Sequence, residues 1–101
     1  MNFSVDAIRA LAPDEASFKA ARGLCVLKQW PTLGQDAEAA WGECQGSGSK
    51  PYQTQVDLRA EAPSFRCSCP SRKFPCKHGL ALLLLRVEQV ASFTQAAPPP
   101  W

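Results

Sequence analysis

The stretch Cys67-Ser-Cys69-Pro-Ser-Arg-Lys-Phe-Pro-Cys76-Lys-His78 decides how this chain folds. It contains three of the five cysteines and the only histidine of the 101-residue sequence. The spacing is C-x-C-x6-C-x-H, which places four soft donors close together in the chain. Three thiolates and one imidazole complete the tetrahedral shell of a closed structural zinc site. The sequence therefore predicts one structural Zn²⁺, held by Cys67, Cys69, Cys76 and His78.

The same spacing predicts the elements that carry these ligands. Cys67 and Cys69 are two residues apart, so both side chains point to one face if they lie on a strand, and Pro70 ends that strand. Each residue of a helix turns by about 100°, so Cys76 and His78 would diverge by about 200° on one regular helix. We therefore expect Cys76 just before a helix and His78 in its first turn.

Other uses of these cysteines fit the pattern less well. A Cys67–Cys69 disulfide would close a strained ring and would leave His78 unexplained, and an iron–sulfur cluster usually takes four thiolates. A nucleophilic cysteine needs a nearby base, and the chain has no second histidine. Because four protein ligands leave no open position for water, we expect a protein that is not an enzyme.

The stretches on both sides of the motif carry a family resemblance. The motif runs into Gly79-Leu-Ala-Leu-Leu-Leu-Leu85, and Trp41-Gly-Glu-Cys-Gln-Gly-Ser-Gly48 and Pro51-Tyr52 precede it. Together they resemble the SWIM zinc finger, and more closely the bacterial SWIM proteins. The specific motif covers about residues 52–86. The resemblance implies a zinc-stapled ββα finger with the same four ligands, and a role in binding nucleic acid or protein.

Two helices are predicted in the N-terminal part of the chain. The first spans Asn2 to Leu11. The second has Pro13 at its first helical position, acidic residues in its first turn and Gly23 at its stop, which suits the preferences of helix ends.

Alternating polar and apolar residues predict a small antiparallel sheet of three or four strands, and an α+β fold. Tyr52–Leu58 alternates clearly, and Ser64–Cys67 follows it as the last strand. Glu38–Gln45 is ambiguous, because its alanines favour a helix and its Trp and Gly favour a strand; a hairpin with the next segment favours the strand. Leu24–Trp30 is typical of another strand, and Thr32–Ala37 is typical of a turn.

A C-terminal helix is predicted from Lys77 to Phe93. Its apolar stripe should face the sheet and consists of Leu80, Leu83, Leu84, Val87, Val90 and Ala91. Leu82 and Leu85 lie off this stripe, so they need cover from the N-terminal helices, which we favour, or from a partner. They are therefore candidate partner contacts.

The predicted organisation is an N-terminal helical segment (1–23) that packs on the sheet, followed by the sheet with the zinc finger (24–93, finger core 52–93). The proline-rich segment 94–101 is expected to be a linker or tail, leading to a protein partner or a downstream domain. A chain this short buries a small core, and a metal commonly stabilises such folds.

The N-terminus and the cysteines indicate a cytoplasmic protein. Met1-Asn-Phe-Ser-Val-Asp lacks the basic and apolar regions of a signal peptide, and Leu80–Leu85 is too short to span a membrane. Metal-ligating cysteines with two unpartnered ones suit a reducing compartment.

Charge is concentrated in the finger. The chain has a net charge of +2, whereas residues 50–86 contain seven basic and two acidic side chains. The candidate contacts with nucleic acid or a protein partner are Lys50, Arg66, Arg72, Lys73 and Lys77. We expect a protein-interaction module within a larger protein or assembly, with binding of DNA or RNA as the alternative. No membrane partner and no small-molecule substrate is expected.

Overall fold

A computed structural model describes residues 4–46 and 48–101. Within these residues the fold is α+β, as predicted, with three helices and a five-stranded sheet. The helices are α1 (Val5–Leu11), α2 (Glu15–Gly23) and α3 (Lys77–Glu88). The strands are β1 (Thr32–Gln35), β2 (Ala39–Cys44), β3 (Tyr52–Asp57), β4 (Ser64–Cys67) and β5 (Thr94–Gln95).

The sheet has the strand order β4-β3-β2-β1-β5. The strands β1 to β4 form an antiparallel meander, of which β2, β3 and β4 were predicted, and β5 adds a short parallel edge beside β1. Ser47, in the predicted loop between β2 and β3, lies outside the described residues. None of the helices in the described ranges has the length and apolarity needed to cross a bilayer.

The core lies between one face of the sheet and α3. Ala40 and Val56 are paired across β2 and β3 and are fully buried in this core. Every residue from Leu80 to Leu85 is also fully buried. A helix that packs on a sheet alone is buried only on the side that faces the sheet. The complete burial of Leu80 to Leu85 therefore requires that other residues cover α3 on the side away from the sheet.

The N-terminal helices provide that cover, so they pack mainly on α3 and not, as predicted, on the sheet. Ile8 of α1 and Phe18 of α2 belong to the same core cluster as the leucines of α3. The expectation that these helices cover Leu82 and Leu85 is therefore confirmed. The prediction that Leu82 and Leu85 contact a partner is wrong for this structure, because neither side chain has any exposed surface.

Both N-terminal helices begin later than predicted. Ser4 is the N-cap of α1 and accepts a hydrogen bond from the N–H of Ala7, while Asn2 and Phe3 lie outside the described residues. Asp14 is the N-cap of α2, so Pro13 precedes this helix and does not occupy its first position.

Leu24–Trp30 is not a strand. Leu27–Gln29 forms a single 3₁₀ turn, and the buried indole of Trp30 donates a hydrogen bond to the carbonyl of Leu24 at 2.9 Å. This segment forms a turn because the Trp30 side chain packs in the core beside Gly42 of β2, and this packing outweighs the strand preference of its residues.

Thr32–Gln35 is a strand and not part of a turn. It pairs with β2, and the turn between the two is limited to residues 36–38. There the carboxylate of Asp36 accepts hydrogen bonds from the N–H groups of Glu38 and Ala39. Sequence preference suggested a longer turn because Asp and Gly are typical of turns.

The last helix is shorter than predicted. It ends at Glu88, and Val90–Ser92 forms a 3₁₀ turn that leads into β5. Val90 is 49% exposed, so the apolar stripe ends before it. Phe93 returns to the core.

Candidate metal centre

The four predicted ligands meet at one point. The Sγ atoms of the three cysteines and a ring nitrogen of His78 all lie within 4.8 Å of one another. Ligand atoms at a tetrahedral zinc are about 3.5–3.8 Å apart, so small shifts complete the shell. The donor set and its geometry fit one structural zinc ion.

The strand side of the site is shaped by a backbone turn after β4. Cys67 is the last residue of the strand. The N–H of Ser68 donates to the carbonyl of Gln53 at 3.0 Å, and the hydroxyl of Ser68 accepts from the N–H of Gln53 at 2.9 Å. This pairing holds the chain against β3 while it leaves the sheet, so Cys69 lies in the loop beyond the strand.

The helix side matches the prediction. Cys76 is the N-cap of α3, and its Sγ accepts a hydrogen bond from the N–H of Gly79 at 3.4 Å. His78 lies in the first turn, with Nδ1 4.0 Å from Cys76 Sγ. The ring of Tyr52 packs on that of His78, with centroids 4.8 Å apart. The imidazole is 5% exposed and is held between strand and helix.

The three thiols have unequal proton affinities. Hydrogen bonds, first from Cys76 and then from His78 and Thr54, lower the pKa of Cys67 to about 3. The interaction with Cys67, together with burial, raises the pKa of Cys76, and burial raises the pKa of Cys69. A divalent ion displaces the protons that these sulfurs share, because only thiolates ligate zinc.

A close contact between helix and strand fixes the position of the ligands, and sequence reasoning did not single it out. Gly79 follows His78, and a Cβ at this position would lie 2.8 Å from Cδ1 of Phe65 on β4. The absence of a side chain allows α3 to approach the strand that carries Cys67. Phe65 also meets the ring of Phe74 edge-on, with centroids 6.4 Å apart.

The predicted contact residues do not form one surface. Lys50, Arg72 and Lys77 are exposed, and no described acidic side chain forms a salt bridge with any of them. Lys73 is paired with Asp14. Arg66 lies opposite Gln55, on the face of the sheet that turns away from α3. The structure therefore brings Lys73 and Lys77 together beside the zinc site and separates Arg66 from them.

A groove of about 530 Å³ lies between α2 and the zinc loop, here defined as residues 68–76. One wall consists of small residues of α2, and the other contains the two lysines and the zinc-ligand region. Its lining includes Ala16, Ser17, Ala20, Tyr52, Pro70, Lys73, Lys77 and His78. Alanines spaced four apart in α2 are the only sequence signal for this groove, and small residues on a helix commonly indicate close packing instead.

Comparison with known families identifies the finger. Residues 52–86 match the family model of the SWIM zinc finger. This segment contains β3, β4, the zinc loop and most of α3, and all four ligands. The comparisons with curated proteins and with solved structures gave no match. The chain therefore contains a SWIM zinc finger, with a Cys₃His site for one structural zinc ion.

Proposed function

We propose that this chain is a non-catalytic, zinc-stabilised module that binds a protein partner. The partner presents a segment that lies in the groove between α2 and the zinc loop. The observation that carries this proposal is the groove itself, with a volume of about 530 Å³ directly beside the metal centre. Concave surfaces with an apolar lining and a few polar groups are the usual places for ligand recognition.

The metal centre supports a structural role for zinc. Four protein side chains fill the tetrahedral shell, whereas a catalytic zinc keeps one position for water or substrate. The role of the zinc is then to hold the wall of the groove in place, since Cys69 and His78 both line the groove. All five cysteines are free of disulfides, which supports a cytoplasmic location.

The chemistry of the groove indicates what it would bind. Ala16 and Ala20 line the groove from α2, and Lys73 and Lys77 line it from the zinc loop and the start of α3. Lys73 is neutralised by Asp14. Lys77 remains to pair with a carboxylate of the partner. The expected ligand is an extended peptide segment with small apolar side chains and one acidic residue.

The distribution of charge favours protein over nucleic acid. Nucleic-acid affinity depends on several cations that follow one phosphate backbone. Arg59 pairs with Asp57 at 2.6 Å, at the opposite end of β3 and about 16 Å from the zinc end. Arg66 lies on the outer face, and Lys73 is paired. The excess positive charge of the finger is thus dispersed over three sides of the domain.

One observation favours nucleic acid as a second candidate. Lys50, Arg72 and Lys77 are exposed at the zinc end of the molecule, and Phe74 of the same loop is 70% exposed. An exposed aromatic ring beside cations is a common platform for unpaired bases. An exposed aromatic is also a common anchor in protein interfaces, so Phe74 by itself does not separate the two candidates.

The test selects ligands for the zinc-loaded chain from a displayed library of random peptides. Selected peptides are then measured against Ala20→Trp, which fills the groove, and against Ala10→Trp, which places the same ring on the exposed side of α1. We expect Ala20→Trp to weaken binding at least tenfold and Ala10→Trp to leave it unchanged. Equal binding by the two variants would move the interaction away from the groove.

The nucleic-acid alternative is measured in parallel. Fluorescence anisotropy with short single- and double-stranded DNA and RNA is recorded over a salt series. If the chain binds duplex DNA, the logarithm of the binding constant should fall with the logarithm of the salt concentration, with a slope of about 0.9 per phosphate neutralised. The magnitude of this slope should be smaller in Arg72→Gln and Lys77→Gln. Such a slope without any peptide selected by the groove would reject protein binding in favour of nucleic acid.

A further inference from the structure

A buried tryptophan lies on the face of the sheet that turns away from the helices. Trp41 is paired with Gly34 on β1 and with Gln55 on β3, whereas its neighbour Ala40 points into the core. In the part of the chain that the structure describes, the core cluster does not include Trp41, yet its side chain is only 5% exposed. The residues that shield this side chain from solvent must therefore lie on the outer face of the sheet.

The indole of Trp41 packs directly against Gly34. A Cβ at position 34 would lie 2.2 Å from Nε1 and 2.7 Å from Cε2 of Trp41. The indole therefore lies directly over the backbone of β1, where any larger residue would displace it. An aromatic ring packed over a glycine of the neighbouring strand is a recognised way to stabilise an edge region of a sheet.

The C-terminal segment runs along the same face of the sheet. After β5, the N–H of Ala96 donates to the carbonyl of Gln35 at 3.2 Å. Pro98 then lines a small cavity of about 240 Å³ together with Ala39 and Gln55. The side-chain amide of Gln55 donates a hydrogen bond to the backbone oxygen of Trp101. Since Gln55 is the direct cross-strand neighbour of Trp41, the segment crosses the outer face beside the indole.

We infer that the outer face centred on Trp41 is a receptor for an extended proline-rich segment, and that residues 96–101 of this chain occupy it. Consecutive prolines hold their φ angles near −65° before docking, so little conformational entropy is lost. An extended proline segment makes no internal hydrogen bonds, and its backbone oxygens are free to accept from a donor such as Gln55. Aromatic surfaces with a neighbouring donor are how proline-rich segments are recognised elsewhere.

This surface is independent of the groove beside the zinc site. Cys67 and Thr54 are paired on the face of the sheet that carries the metal centre, whereas Trp41 and Gln55 lie on the other face. An experiment that rejects binding at one surface therefore does not reject the proposal for the other surface.

The inference is tested first in the unchanged, zinc-loaded chain by NMR. The indole N–H resonance of Trp41 is assigned with Trp41→Phe. Nuclear Overhauser contacts are expected between the Trp41 ring and the ring protons of Pro98 to Pro100. Their absence would overturn the inference without the use of any variant of the segment.

The second measurement releases the segment and returns it as a separate peptide. In Pro98→Gly/Pro99→Gly/Pro100→Gly, the Trp41 resonance should shift, whereas Lys19→Gln, a change at an exposed position of α2, should leave it in place. A synthetic peptide of residues 94–101 should then move the resonance of the triple variant back towards that of the unchanged chain. One zinc per chain in each variant shows that the finger is intact. A peptide that leaves the resonance unmoved would overturn the inference.

Discussion

The ammonium of Lys73 lies 2.7 Å from Oδ2 of Asp14, although the two residues are 59 positions apart in the chain. Lys73 belongs to the zinc loop, and Asp14 is the N-cap of α2, where its other oxygen accepts from the N–H of Ser17 at 2.7 Å. This ion pair joins the zinc finger to the N-terminal helices beside the groove. The finger and the first 23 residues are thus connected by a polar contact as well as by the leucines of α3.

The ion pair sets the protonation of Asp14. The hydrogen bond from Lys73, and then those from Ser17, lower the pKa of Asp14 from 3.8 to about 2. A carboxyl whose pKa is lowered in the folded state stabilises the fold above its unfolded pKa. That contribution is fully present at neutral pH and is lost as the pH falls from about 4 towards about 2.

The first prediction concerns this pair. Lys73→Met should lower the melting temperature of the zinc-loaded chain slightly, because exposed ion pairs contribute little. Asp14→Ala should lower it more, since it also removes the cap of α2. Lys19→Met on the exposed side of α2 is the matched control. Thermal unfolding at low and at 1 M salt checks this, because salt should abolish the Lys73 effect. Equal melting temperatures for Lys73→Met and Lys19→Met at low salt would contradict it.

The second prediction concerns removal of the metal. A structural zinc contributes on the order of 10 kcal/mol to folding in small domains. A strong chelator should therefore abolish the helical circular dichroism of the chain and restore it when zinc is added back. The transition should require more chelator at higher pH, since zinc competes with protons for the thiolates.

The ligand assignment has its own variants. Cys67→Ser and His78→Ala should each lose zinc and cooperative unfolding together. Cys25→Ser is the matched control, because Cys25 lies outside the cluster and its Sγ donates to the carbonyls of Ala21 at 3.4 Å and Ala81 at 3.9 Å, as a hydroxyl also can. A folded His78→Ala chain that retains one zinc by mass spectrometry would show that another ligand completes the shell.

The third prediction compares two glycines of helices. Gly79→Ala should destabilise the chain by up to about 2 kcal/mol. Its Cβ would meet Phe65 in a packed contact, which costs about 1–3 kcal/mol, and alanine regains about 1 kcal/mol of helix propensity. Gly23→Ala should instead stabilise by up to about 1 kcal/mol, since nothing lies within 4 Å of the new methyl and the backbone φ is not positive.

Chemical denaturation of the zinc-loaded proteins measures both glycine effects. The double variant Gly79→Ala/Phe65→Leu tests the cause, because a smaller and more flexible side chain at position 65 should recover part of the loss. A destabilised Gly23→Ala, or a Gly79→Ala that is as stable as the unchanged chain, would contradict the packing described for α3 and β4.

The fourth prediction concerns the leucines of α3. Leu82→Ala and Leu85→Ala should each cost about 2–5 kcal/mol, because they leave cavities in the core. Val90→Ala, at a position that is 49% exposed, should change stability by less than about 0.5 kcal/mol. Equilibrium unfolding checks these values. Small effects at both leucines would return them to the set of candidate partner contacts.

The metal centre could be predicted because its ligands are close together in the sequence. Its four ligands fall within one short stretch, and the turn of each residue in a strand or helix fixes how neighbouring side chains can converge. The hairpin of β2 and β3 and the strand β4 were predictable for a similar reason, since the side chains of paired strands alternate. Short-range geometry is enough for these features, so the SWIM resemblance and the structure agree on them.

The errors lie where local preference and packing disagree. Leu24–Trp30 has the composition of a strand, but the core takes up Trp30 and bends the backbone into a 3₁₀ turn. Thr32–Gln35 has the composition of a turn, but pairing with β2 makes it a strand. In each case a contact with a residue distant in the chain contributes more than the preference of the segment itself.

By itself, the sequence determined the zinc ligands, the order of the finger and the α+β class. Only the tertiary structure decided that Leu82 and Leu85 are core residues, that Lys73 meets Asp14, that a groove opens beside the metal and that the C-terminal segment returns to the face of the sheet on which Trp41 lies. The physical reason is that each of these depends on where segments tens of residues apart come together. Periodicity in one segment cannot specify the position of another.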